Sequence, residues 1–167
     1  MKENAFIQLG SNLGNRSRNL SVARAYIKEY FNEILEASAI YESEAWGVED
    51  QRTYLNQVVQ IRSSFSAEKT LELLLEIENR MGRERQEKWG SRNIDLDLLF
   101  FGDQTMSSSF LTIPHPRIQD RLFVLKPMME IAPQLKHPVF SLTIEQLFQD
   151  CTDKLKVWNW ETKPLES

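Results

Sequence analysis

Short apolar runs alternate with stretches of helical spacing along this chain, and their order predicts its architecture. Ala5 to Leu9 reads as a first strand, stopped by Gly10-Ser11-Asn12-Leu13-Gly14-Asn15. Leu20, Ala23, Ile27, Tyr30 and Phe31 recur at helical spacing, predicting an amphipathic helix from about Ser17 to Phe31. A second strand, Ile34 to Tyr41, alternates less cleanly. Tyr54 to Ile61 predicts a third, with Leu55, Val59 and Ile61 on one face and Asn56 and Val58 on the other. The connection between them is long and polar apart from Trp46, and long connections in compact domains are often functional.

Ser66 is placed to cap a second helix, with Glu68 in its first turn, where the helix dipole favours an acid. Leu71, Leu74, Leu75, Glu78 and Met81 share one face of that helix, and Gly82 ends it. Glu78 is the odd member of the stripe. It reads either as a carboxylate snorkelling at the helix edge, or as an acid that faces a substrate or supports residues that do. Gly102-Asp103 turns the chain after the next strand, with residues 104–106 expected to pair back on it. Pro114-His115-Pro116 blocks the extended piece Phe110 to Ile113. Arg117 to Ile131 predicts two short helices divided at Pro127. Thr143-Ile144-Glu145-Gln146 is a capping box opening a last helix to about Asp150, and Leu155 to Trp160 reads as a final strand. The order strand–helix–strand–strand–helix–strand predicts an α+β fold, a ferredoxin-like βαββαβ sheet with helices on one face plus C-terminal additions. One domain over 1–160 and a frayed tail over 161–167 are expected.

The chemistry concentrates between Arg83 and Phe101. The first half of this stretch is a basic, glycine-punctuated loop; the second half alternates acidic and apolar residues before turning wholly apolar. Asp95 and Asp97 therefore share one face of a strand, and Ile94, Leu96 and Leu98 the other. Two residues of strand rise put the carboxylates about 6.6 Å apart at the backbone. Leaning together, they suit one hard cation, or two about 3.5–4 Å apart. The run Leu98 to Phe101 reads as a central, buried strand, where like charges on one face need a compensating cation.

Charge sharpens this picture. The 167 residues carry a net charge of −4, which argues against a broad nucleic-acid footprint. Yet Arg80, Arg83, Arg85, Lys88 and Arg92 crowd one stretch, and Arg117, Arg121 and Lys126 form a second group. A local basic site in an acidic protein suits a compact anion, and arginine forks match phosphate oxygens. His115, fixed between two prolines, reads equally as a phosphate hydrogen-bond donor or as a turn residue. Trp46, Trp89 and Phe123 read as core residues or as stacking partners for a flat ligand. The Gly10–Asn15 loop lacks the lysine and spacing of a P-loop and reads as easily as a plain turn. One cysteine, Cys151, excludes an intramolecular disulfide; with no membrane-length apolar run, the cytoplasm is the expected compartment.

Phe6-Ile7-Gln8-Leu9-Gly10-Ser11-Asn12, Tyr54-Leu55-Asn56, Ile77-Glu78, the run Lys88 to Leu99, Pro114-His115-Pro116-Arg117 and Arg121-Leu122-Phe123 follow in order. Together they resemble the 6-hydroxymethyl-7,8-dihydropterin pyrophosphokinase family of folate biosynthesis, whose signature is the Lys88–Leu99 run. The resemblance implies a ferredoxin-like fold and transfer of the diphosphate of ATP to the pterin hydroxymethyl group, releasing AMP. It implies two Mg2+ ions on Asp95 and Asp97, Arg83 and Arg92 as catalytic-loop arginines, and Arg85, His115 and Arg121 on phosphates. It further implies adenine against Leu98 and Thr112, with Glu78 and Trp89 counted in the ATP site and Trp89 closing over it. The pterin would stack near Tyr54 and Phe123, with Asn56 on its edge and the Ser43-Glu44-Ala45-Trp46 backbone completing the slot. The expected partners are these two small molecules, with no nucleic acid and no membrane, acting on a monomer.

The chain departs from the family's pattern in places. The loop from Arg85 to Trp89 is one residue shorter than in the best-known members. Glu44 and Trp46 stand where small or aliphatic residues often occur, and Phe110 where a basic residue helps to hold ATP. The rival readings are another Mg2+-dependent phosphoryl or nucleotidyl transferase on the same Asp pair, and a ferredoxin-like RNA-binding module. The latter needs aromatics on the central strands and a basic sheet face, where this chain has acids.

Overall fold

A computed structural model describes residues 2–45, 51–82 and 93–161. In chain order these form β1 (Glu3–Ser11), α1 (Arg16–Phe31), β2 (Ile34–Ala37), β3 (Tyr41–Ser43), β4 (Tyr54–Ser63), α2 (Ala67–Arg80) and β5 (Asp95–Phe101). Then come β6 (Met106–Ser107), β7 (Thr112–Ile113), a 3-10 turn at Ile118–Asp120, α3 (Leu122–Ile131), α4 (Ile144–Asp150) and β8 (Val157–Asn159). The main sheet runs β5-β1-β4-β3-β8, with β2 also on β4, and every pair is antiparallel.

The expected second strand is two strands. Between them the Ser38 hydroxyl accepts the Val58 N–H at 3.0 Å, so a side chain replaces a ladder bond and the backbone leaves register. Residues 106–107 do not pair back on β5; β6 and β7 form their own two-stranded sheet. The break expected at Pro127 falls at Arg121 instead, and Pro127 sits inside α3.

The sheet is covered on both faces, which corrects the expectation of helices on one. Under α1 and α2 lies a core that includes Ile7, Leu9, Leu20, Ile27, Leu55, Ile61, Leu74 and Ile77. Under α3 and α4 lies another, with Phe6, Val58, Leu99, Phe100, Val124, Leu125 and Ile144. A β-bulge explains how β5 serves both. Ile7 pairs with Leu98 and Phe6 with Phe100, so Leu99 is the extra residue, and Leu99 and Phe100 both turn into the second core. The apolar run is therefore two-sided, but it does not mark a central strand: β5 is an edge of the sheet.

The caps are as the sequence predicts. The Ser66 hydroxyl accepts the Lys69 N–H at 3.1 Å, and Gly82 takes a left-handed φ of 78° just past α2. Thr143 and Gln146 form the capping box of α4. The buried face of α2 is rotated from the predicted stripe: Ala67, Thr70, Leu74, Ile77 and Glu78 point inward, while Leu75 is 38% exposed. Leu74→Ala is accordingly expected to cost about 2–5 kcal/mol, and Leu75→Ala under about 1 kcal/mol. Denaturant titration of the two variants checks this, and equal costs would reject the rotated face.

Candidate functional site

Register fixes the site. Leu96 pairs with Leu9 in the core beneath α1 and α2, so its neighbours Asp95 and Asp97 face the other way, opposite Gly10 and Gln8. Both carboxylates are half-buried. The strand that carries them is held from outside the sheet. Glu78, only 3% exposed on α2, accepts the Leu96 N–H at 2.8 Å. Asn93 donates to the Met81 carbonyl at 2.9 Å, tying the start of β5 to the end of α2. Further along, the His115 N–H reaches the Leu99 carbonyl at 2.9 Å. Glu78 thus neither snorkels nor faces open solvent; it supports the backbone between the two aspartates.

Leu96, Asp97, Leu98, Leu111, Thr112 and His115 line a cleft of about 240 Å3, together with Phe110 at its rim. A larger cavity of about 350 Å3 shares residues 112–116 with it, but no charged side chain among the described residues lines it. In the cleft, the His115 Nδ1 accepts the Arg117 N–H at 3.2 Å, which leaves Nε2 to carry the proton. Burial pushes the imidazole below its ordinary value, and Arg121 and Arg117 push the same way against the pull of Asp97. His115 is therefore a neutral Nε2–H donor at pH 7. Burial likewise lowers the Arg121 guanidinium, with Asp97 pulling it back, and it stays protonated over the Phe123 ring at 5.6 Å.

A second group gathers beside the carboxylates on the same face. Asn56 Nδ2 donates to the Ser43 hydroxyl at 2.8 Å, and Tyr54 pairs with Ser43 across the ladder. The Tyr54 ring lies over Gly10, where an added Cβ would meet it at 3.6 Å. Phe123, in the first turn of α3, is drawn toward this group by Gln8, whose Nε2 donates to the Phe123 carbonyl at 3.2 Å. That carbonyl is open because residue 127 is proline: its helical partner would have been the missing N–H. The arrangement is an aromatic and amide slot next to a carboxylate-bearing cleft.

Of the predicted site residues, the structure brings Asp97, Leu98, Thr112 and His115 to one cleft and Ser43, Tyr54 and Asn56 to the adjoining slot, with Arg121 and Phe123 at the start of α3. Glu44 turns away: its N–H donates to the Lys156 carbonyl at 3.2 Å, and its carboxylate accepts the Lys156 N–H at 3.3 Å. Ala45 is half-buried at the end of the described segment. Trp46, Arg83, Arg85, Trp89 and Arg92 lie outside the described residues. The Gly10–Asn15 loop is a turn. β1 runs through Ser11, Asn15 caps α1 by accepting the Arg18 N–H at 3.1 Å, and Asn12 donates to the Arg52 carbonyl at 3.3 Å. Two contributors went unread in the sequence. Gln8 is one. The other is Asp153, which accepts the Leu122 N–H at 3.0 Å and so caps α3 from a distant segment, where Arg121 supplies no side-chain cap.

Among the described residues no group of three or more His, Cys, Asp or Glu side chains converges. Asp95 and Asp97 offer hard oxygen donors from one face. That set fits a cation that completes its shell with water and phosphate oxygens, as Mg2+ does.

Residues 6–133 match the family model for 7,8-dihydro-6-hydroxymethylpterin-pyrophosphokinase (HPPK). A Bacillus subtilis (strain 168) protein named 2-amino-4-hydroxy-6-hydroxymethyldihydropteridine pyrophosphokinase is 38% identical over 159 residues, covering 95% of this chain and 92% of its own. A Synechocystis protein of the same name is 44% identical over 151 residues, covering 89% of this chain and 77% of that one. Among solved structures, the fold resembles Plasmodium falciparum HPPK-DHPS, with a TM-score of 0.73 and 16% identity over 89% of this chain. This chain spans 42% of that longer one.

Glu78→Ala leaves the Leu96 N–H without its carboxylate and is expected to cost about 1–3 kcal/mol, while Glu78→Gln, which keeps an acceptor, costs less. Chemical denaturation separates the two, and equal losses would remove the hydrogen bond as the cause. His115 and His137 are both lowered, chiefly by burial, so the unfolded chain takes up their protons first as pH falls. Stability is expected to decline as pH drops through about 6.5 toward the lowered values of the fold. NMR titration should place both imidazole midpoints below about 6.5, and a midpoint above it would remove the burial argument for that residue.

Proposed function

Because the chain belongs to the 7,8-dihydro-6-hydroxymethylpterin-pyrophosphokinase family, we propose that it transfers the diphosphate of ATP to 6-hydroxymethyl-7,8-dihydropterin, releasing AMP. The observation that carries this reading is the juxtaposition on one sheet face. Asp97 acts electrostatically on both His115 and Arg121, and the amide and aromatic slot lies beside them. Taking β2 and β3 as one interrupted strand is part of the reading, and supports a ferredoxin-like βαββαβ order.

In this reading Asp95 and Asp97 would hold two Mg2+ ions, which would supply charge neutralisation for the diphosphate being transferred. The chain's own residues do the rest. The cleft at Leu98 and Thr112 takes the adenine, an apolar wall with a hydroxyl at its rim. Arg121 is a fixed cation for phosphate oxygens, held by its packing over Phe123. His115 donates its Nε2–H to a phosphate oxygen without adding charge. The pterin ring lies by Tyr54 and Phe123, and Asn56, steadied by Ser43, meets its polar edge. Such a pose turns the hydroxymethyl oxygen toward the β-phosphorus for in-line displacement, so positioning and electrostatics carry most of the acceleration. By the family resemblance, the proposal is completed by Arg83 and Arg92 as catalytic residues and by Arg85 and Trp89 as further contacts to ATP.

Incubation with the dihydropterin, ATP and Mg2+ is expected to yield AMP and the pterin diphosphate in equal amounts by chromatography. ADP or free pyrophosphate as the nucleotide-derived product would overturn the reading. Asp97→Ala is expected to abolish turnover with an unchanged circular dichroism spectrum. Near-wild-type rates from that variant would remove the metal role.

A further inference from the structure

Gln8 is a buried polar residue on the site face that the reaction outlined above leaves without a role. It is 3% exposed in β1, paired in register with Asp97 on one side and Val58 on the other. Its Nε2 donates to the Phe123 carbonyl at 3.2 Å and reaches Asn56 Oδ1 at 3.5 Å, the outer limit of a hydrogen bond. Its Oε1 is buried with no hydrogen-bond partner among the described residues. A purely structural glutamine would be a poor choice here, because a buried acceptor left unpaired destabilises the fold that contains it. An apolar side chain of the same length would remove that penalty and leave the Phe123 carbonyl without its donor.

We propose that Gln8 is a positioning residue for the flat acceptor. It holds Phe123 and reaches toward Asn56, the ring contact and the edge contact of the slot, at a fixed spacing from Asp97, its neighbour across the ladder. Pro127 is the other half of the device. By removing the N–H that would claim the Phe123 carbonyl, it leaves that oxygen for Gln8. Helix α3 is thereby docked on β1 by a bond that neither element makes alone. Gln8 acts through Phe123 and Asn56, and the inference rests on the proposed role of those two residues in binding the pterin.

The test is calorimetric binding of 6-hydroxymethyl-7,8-dihydropterin in the presence of a non-hydrolysable ATP analogue and Mg2+, with the analogue alone as a second titration. Gln8→Met keeps length and volume while losing the donor and the unpaired acceptor. It is expected to weaken pterin binding about tenfold and leave analogue binding unchanged. Pro127→Ala supplies a second route that leaves Gln8 in place: the restored N–H competes for the Phe123 carbonyl, and pterin affinity is expected to fall while analogue affinity holds. Since both changes break one bond, the double variant should bind the pterin no more weakly than the weaker single variant. Unchanged pterin binding in either folded variant overturns the inference, as do fully additive losses. A Gln8→Met protein with a lower thermal midpoint and both ligands weakened makes the residue structural and overturns it too. Wild-type protein that fails to bind the dihydropterin overturns the proposed function and this inference together; wild-type binding matched by Gln8→Met overturns this inference alone.

Discussion

The Glu78 carboxylate receives the Leu96 N–H from the open side of β5, midway between Asp95 and Asp97. Much of the site depends on that contact, because β5 is an edge strand with a ladder on one side only. A slip of one residue would send Asp95 and Asp97 into the core and turn Leu96 and Leu98 out. Pairing with β1 resists the slip from within the sheet. The charge-assisted bond from Glu78, the Asn93 tie to α2 and the His115 bond to Leu99 resist it from outside. Two of these contacts, at the Leu96 N–H and the Leu99 carbonyl, occupy outward-facing backbone groups that would otherwise be a template for pairing with another chain.

The face opposite α1 and α2 changes character along its length, at Gln8 and Asp97 in β1 and β5 and one same-face pair later, at Asn56, in β4. β1 reads Phe6, Gln8, Gly10; β4 reads Val58, Asn56, Tyr54; β5 reads Phe100, Leu99, Asp97, Asp95. The apolar end lies under α3 and α4, where Phe6, Val58, Leu99 and Phe100 join one core. The polar end continues past the edge of that cover. A site of this kind needs no separate domain or insertion. It is the part of a sheet face that the helices leave open, with the first turn of α3 as its wall.

Partial burial sets the electrostatics there. Asp97 stands close enough to His115 and Arg121 to act on both, in a cleft that removes some of the water that would screen them. The outcome for each differs by chemistry. Arginine keeps its proton under any such pressure, so Arg121 remains a fixed charge. Histidine gives its proton up, so His115 becomes a directional donor whose tautomer is set by the Arg117 N–H.

Local physics is legible in the residues themselves. The helix caps at Ser66 and Thr143, the glycine stop at Gly82, the order of strands and helices to β5 apart from the split into β2 and β3, and the common face of Asp95 and Asp97 all follow from spacing and side-chain chemistry within a few residues. Periodicity reports which way a side chain points from its own element, but not what lies beyond. That β5 is an edge, that Leu99 is a bulge, that α3 covers the second face, and that Asp153 caps α3 across 31 positions of sequence required the assembled sheet. Glu78 shows the division well. Its sequence position marks it as anomalous on an apolar stripe; only the packing of α2 against β5 supplies the N–H that makes a buried carboxylate tolerable there. Gln8 and Pro127 show it more sharply, since each is ordinary in its own element, and their joint effect exists only where α3 meets β1.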